Sequence, residues 1–147
     1  MSTERKINPF SVIILVIGII GLIMVLIGPF AGFYLTGPYA GNRYSCLFGC
    51  EYWTTADLIA QIIIIIFLLL QIFFAVNDLL PNKIIDKNFD KLGLVSALII
   101  ILFAIIGIAA FGIYYSEFYW WAESGFYGGI VAGIINMILF FLKIKNK

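Results

Sequence analysis

Leu58 to Val76, LIAQIIIIIFLLLQIFFAV, is the stretch that limits the chain most: it holds no charge, no Gly and no Pro, and its only polar side chains are Gln61 and Gln71. A helix rises about 1.5 Å per residue, so these residues reach roughly 28 Å, close to the ~30 Å hydrocarbon core of a bilayer. A water-soluble helix of that length needs a polar face, and this one has none. The stretch is therefore expected to span a membrane, and the rest of the chain is read with lipid as its solvent.

Three further apolar segments are long enough to do the same. The expected spans are residues 10–35, 56–76, 92–115 and 122–142, within one 147-residue domain that is 63% hydrophobic and 12% charged. This composition belongs to the membrane class and leaves no soluble domain. The fold expected is an all-α bundle of four transmembrane helices with a short, hairpin-like first outer loop. The apolar run from Phe10 is too long for a signal-peptide core, so the first span is expected to be retained.

Charge sets the orientation. Arg5 and Lys6 precede the first span, Lys83, Lys87 and Lys91 lie between the second and third, and Lys143, Lys145 and Lys147 close the chain. With four spans these segments share one side, and the positive-inside rule places both termini in the cytoplasm of a plasma-membrane protein. The opposite side has Arg43 as its one basic residue, beside Glu51, Asp57, Glu117 and Glu123. All the tyrosines and tryptophans fall at that outer side, although interfacial aromatics usually gather at both faces. Tyr39, Tyr44, Tyr52, Trp53, Tyr119, Trp120 and Trp121 are thus expected to build an outer aromatic cap, either sealing the bundle or offering a surface to a partner.

In the first outer loop, Gly37-Pro38, Gly41-Asn42 and Gly49 punctuate turns, and Tyr39, Tyr44, Leu47, Phe48, Tyr52 and Trp53 suit short strands or a hairpin. Cys46 and Cys50 lie where thiols are oxidised, with Gly49 between them to free the backbone. A structural disulfide is the preferred reading. So small a ring stabilises by ~2 kcal/mol and serves to fix a loop tip. A metal site is the weaker alternative, because two thiols in a chain without histidine leave a tetrahedral ion short of ligands. Thr54 or Thr55 is placed to cap the second helix, with Asp57 in its first turn. The 77–91 connector reads as a solvated link, with an amphipathic turn on the inner leaflet as the alternative.

Glycines at helical spacing mark close helix packing: Gly18, Gly21, Gly28 and Gly32 on the first span, with Pro29 bending its outer end, and Gly125, Gly129 and Gly133 on the fourth. Contact within the bundle is preferred over homo-oligomerisation through the fourth span. The intramembrane amides Gln61, Gln71 and Asn136 read as interhelical glue, and Gln71 and Asn136 lie at a common depth where they can meet.

Four spans, cytoplasmic termini and a first outer loop carrying Cys46 and Cys50 among aromatics resemble the claudin/peripheral-myelin-protein-like four-span architecture. The likeness implies a strand-rich, disulfide-bearing first loop that mediates adhesion or partner contacts. The family's Trp–Gly-Leu-Trp–Cys–Cys signature has no counterpart in Leu47-Phe48-Gly49.

No nucleophile–base set, phosphate loop or ligand cluster stands in the sequence, so no enzyme, cofactor, metal or nucleic-acid role is expected. The expected function is that of a non-catalytic accessory, scaffold or adhesion-type subunit. Its partners are the lipid bilayer and other membrane subunits or further copies of itself. The alternative is a small oligomeric channel or transporter for a small solute, with Gln61, Gln71 or Asn136 facing the path.

Overall fold

The computed structural model describes residues 8–52, 54–85 and 87–146. It contains helices α1 (Pro9–Ile27), α2 (Thr55–Leu79), α3 (Asp90–Tyr114) and α4 (Ser124–Lys145), and strands β1 (Ala31–Leu35), β2 (Gly41–Ser45) and β3 (Tyr119–Ala122). All four helices are long and apolar enough to cross a membrane. Each packs on its neighbour in sequence, and α4 closes back on α1, so they stand in a ring.

Local chemistry sets the ends. Asn8 caps α1 through its side chain, which accepts from the Phe10 amide, and Pro9 supplies a preset φ at the first turn. Thr54 and Asp57 form a reciprocal capping box at the start of α2. The first span is shorter than the expected 10–35. Its helix stops at Ile27, because Pro29 disfavours the helical region for Gly28, which is extended at φ −80° and ψ 148°. Pro29 thus ends the helix rather than bending it, and Ala31–Leu35 enters a sheet.

That sheet is the second departure. β1 pairs antiparallel with β2 across a five-residue turn, residues 36–40, and also with β3, which comes from the short connection between α3 and α4. Of the residues expected in strands, Tyr44 lies in β2, whereas Tyr39, Leu47, Phe48 and Tyr52 lie outside the strands. The sheet sits at one end of the bundle, and the chain's described termini and the α2–α3 connector sit at the other.

The middle of the bundle is filled by Val25, Ile64, Leu68, Ile100, Ala104 and Ala132, all buried. Ile20, Ile23, Ile66, Leu102, Ile105 and Ile138 point outward and stay about half exposed. The belt they form is apolar, so polarity here runs opposite to that of a water-soluble bundle.

Candidate functional site

Strand parity sorts the aromatic residues at the sheet end. Residues directly opposite one another in antiparallel strands share a face, and successive residues along a strand change face. Phe33 lies on the underside, 2% exposed, with its ring stacked on Tyr115 at 4.1 Å and edge-on to Tyr52 at 5.6 Å. Phe111 and Phe118 complete the cluster. Trp120, opposite Phe33, takes the same side and lies over Gly112 of α3. The Arg43 guanidinium stands 5.6 Å from the centre of the Tyr52 ring.

On the upper face Gly32 lies between its register partners Tyr44 and Trp121. The two rings meet edge-on across it at 6.3 Å. A Cβ at residue 32 would lie 2.9 Å from the indole, so only glycine leaves room for Trp121 to lie flat. Glu123 Oε1 accepts from the indole Nε1 at 2.5 Å and fixes the ring's direction. Tyr34 and Tyr119 form the next row, 41% and 78% exposed, and Tyr39 is 80% exposed in the hairpin turn. The expected cap therefore divides: Tyr44, Trp121 and Tyr119 face outward, while Tyr52 and Trp120 support the sheet from below. Trp53 lies outside the described residues. Cys46 and Cys50 form a disulfide just beyond β2, with Cα atoms 5.5 Å apart and Gly49 at φ 79° in the turn it closes.

Beneath the sheet, fully buried polar groups recur along α2. Asp57 accepts from Thr54 and from the hydroxyl of buried Ser45 in β2, which ties the sheet to the helix. One turn on, Gln61 is wholly buried, and neither of its amide atoms has a hydrogen-bond partner among the described residues. Below the apolar middle, Asn136 Nδ2 donates to Gln71 Oε1 at 2.7 Å, while Gln71 Nε2 and Asn136 Oδ1 have no partner among the described residues.

The expected glycines all meet other parts of the same chain. A Cβ at Gly18 would approach Ile72 of α2, and one at Gly21 would lie 2.6 Å from the Ala132 Cβ of α4. Gly28 and Gly125 face each other, and the Gly125 amide donates to the Pro29 carbonyl at 2.7 Å. Gly32 belongs to β1 and not to a helix, paired between β2 and β3. Gly129 meets Ile64 of α2, whereas Gly133 meets Ile100 and Ile101 of α3. These i, i+4 glycines do not form one groove, because each step of four turns the helix about 40° past a full circle.

At the terminal end lies a cluster that sequence reasoning missed. Lys143, 4% exposed, places its ammonium 2.9 Å from Asp90 Oδ1, 3.2 Å from Asp78 Oδ2 and 2.9 Å from Ser11 Oγ. Ser11 Oγ also donates to Asp78 at 2.5 Å. One residue from each helix meets here. The sequence assigned Lys143 to the water-facing end by its charge. A signal was present: Lys143 continues the buried stripe of Ala132, Asn136 and Leu139 at steps of three and four.

Comparison with known protein families, curated proteins and solved structures returns no match.

Proposed function

We propose that this chain is a multi-pass plasma-membrane protein, with cytoplasmic termini and the sheet outside, acting as a non-catalytic accessory, scaffold or adhesion-type subunit. The observation that carries this reading is the two-sided sheet. Its underside is anchored by buried Phe33 and Ala31, while its upper face presents Tyr34, Tyr44, Tyr119 and Trp121 on a braced framework. Large aromatics with few rotamers lose little entropy on contact, and for this reason they dominate recognition surfaces. The apolar belt supports the lipid assignment, and the clustering of Lys83, Lys87, Lys91 and Lys145 at the terminal end supports the orientation. A strand-bearing first outer connection closed by Cys46–Cys50 fits what the claudin-like resemblance implies.

A photo-crosslinking residue at Tyr119 or Tyr39 tests the reading in native membranes. It is expected to trap one partner species, which also copurifies in near-stoichiometric amount in mild detergent, whereas the same probe at belt residue Ile105 traps none. Recovery of the chain alone, with no crosslink from the sheet face, would refute the reading.

The Gln61 amide, without a hydrogen-bond partner among the described residues, favours a second reading, a solute path through an oligomer. Ile64 and Leu68, both fully buried, stand between Gln61 and Gln71 on the inward face of α2. Solute flux into liposomes that Gln61→Leu abolishes would select this reading over the first.

A further inference from the structure

The connector between α2 and α3 is held in place more firmly than a solvated link requires. Asn77, 2% exposed, grips the backbone of Ile85 at both ends of its amide: it donates to the carbonyl at 3.1 Å and accepts from the N–H at 2.9 Å. Four residues further on, Phe89 stacks on Phe74 at 4.9 Å with the rings nearly parallel. Over residues 81–85 the chain makes bends rather than a helix, and it presents Ile84 at 63% and Ile85 at 39% exposure. Lys83 and Lys87 flank the pair, and Lys87 is exposed.

A buried amide and an aromatic stack are thus used to display two branched apolar side chains between two ammonium groups. The display stands where the membrane-length helices α2 and α3 end. We propose that this connector docks on the anionic lipid leaflet beside it, with Ile84 and Ile85 wedged into the boundary between headgroups and acyl chains and Lys83 and Lys87 paired with lipid phosphates. The chemistry is complementary on both counts: apolar surface meets acyl chain, and lysine meets phosphate. Of the acids nearby, Asp78 and Asp90 turn inward to Lys143, and Asp86, which follows Ile85 in sequence, lies outside the described residues. The polar recess that Lys83 and Lys87 share with Asn77, Asp78, Asn88 and Asp90 holds about 20 Å³, room for one water but not for a phosphate. Lipid contact therefore falls to the outer rim of the loop.

The proposal rests on the membrane-spanning reading, and the test separates the two. Both native cysteines are in the disulfide, so Ile84→Cys supplies a single free thiol for a nitroxide label. The labelled protein is reconstituted in phosphatidylcholine bilayers with and without phosphatidylglycerol, beside Ile105→Cys in the belt and Asn82→Cys on the exposed side of the connector. The expected result is a label at residue 84 that is open to oxygen, shielded from a water-soluble nickel chelate, and more deeply immersed when phosphatidylglycerol is present. The Lys83→Gln/Lys87→Gln pair should remove that lipid dependence, since each lysine near an anionic surface is worth roughly five-fold in preference. A label at residue 84 as open to chelate as that at Asn82, or immersed equally in both lipids, overturns the proposal while Ile105 stays shielded. Chelate access at Ile105 would instead overturn the spanning reading, and the proposal with it.

Discussion

Tyr115 shows how much one residue's surroundings decide. It follows α3 directly and is 8% exposed among Phe33, Phe111 and Tyr114. Burial pushes its phenol above the ordinary value near 10, and Tyr114, Asp57 and Tyr52 add to the shift. A raised folded value means that the native state holds this proton more tightly than the unfolded chain does. The associated stability is fully present below about pH 10 and is lost as pH climbs through the folded value. In an alkaline absorbance titration the native protein should show a late-ionising tyrosine fraction that Tyr115→Phe removes. If the late fraction survives that substitution, the assignment is wrong.

Among the elements, the α1–α4 contact depends most on missing side chains. Gly21 lets α1 approach α4 until a Cβ there would lie 2.6 Å from the Ala132 Cβ and 3.1 Å from the Gly128 carbonyl oxygen, a backbone atom with no rotamer to change. A Cβ at Gly129 would meet the Cγ2 methyls of Ile64 at 3.2 Å and Val25 at 3.5 Å, a milder approach to side-chain atoms and none to backbone. Gly21→Ala should therefore lose about 1–3 kcal/mol and Gly129→Ala less than about 1. Thermal unfolding of both variants in one detergent checks the order, and equal losses would contradict the packing described. The element boundaries have similarly local causes. Apolar composition runs unbroken from Phe10 past Phe33, which is why the first span reads as longer than it is, yet a single proline ends the helix. Ala31–Leu35 becomes a strand only because β2 and β3, the latter brought from a distant part of the chain, pair on either side of it.

For the whole molecule, the Lys143 cluster joins all four helices by polar contacts: Ser11, Asp78, Asp90 and Lys143 come one from each. Removing a buried ion's partner costs more than the pair itself contributes, because the remaining charges keep their desolvation penalty. Lys143→Met should cost about 3–5 kcal/mol. Adding Asp78→Asn and Asp90→Asn should recover much of that loss, although each of the two acid substitutions alone would weaken the fold. Melting temperatures of the single and combined variants decide the matter. A Lys143→Met protein as stable as the parent would show that the ammonium is not held at this junction.

The residues alone determined the number and rough extent of the apolar helices, the disulfide-forming pair and the segregation of aromatic from basic ends. Each of these depends on transfer free energy or on spacing along one segment, and both are local. The tertiary structure decided which aromatics face outward, that a third strand joins the hairpin, that Gly32 makes room for a tryptophan, and that Lys143 is buried. Those outcomes depend on which distant residues come within a few ångströms, and composition and periodicity do not carry that information. A lysine near a helix end reads as solvated until Asp78 and Asp90, each on another helix, are brought within hydrogen-bonding reach of it, and only then do paired charges offset the cost of taking its ammonium out of water.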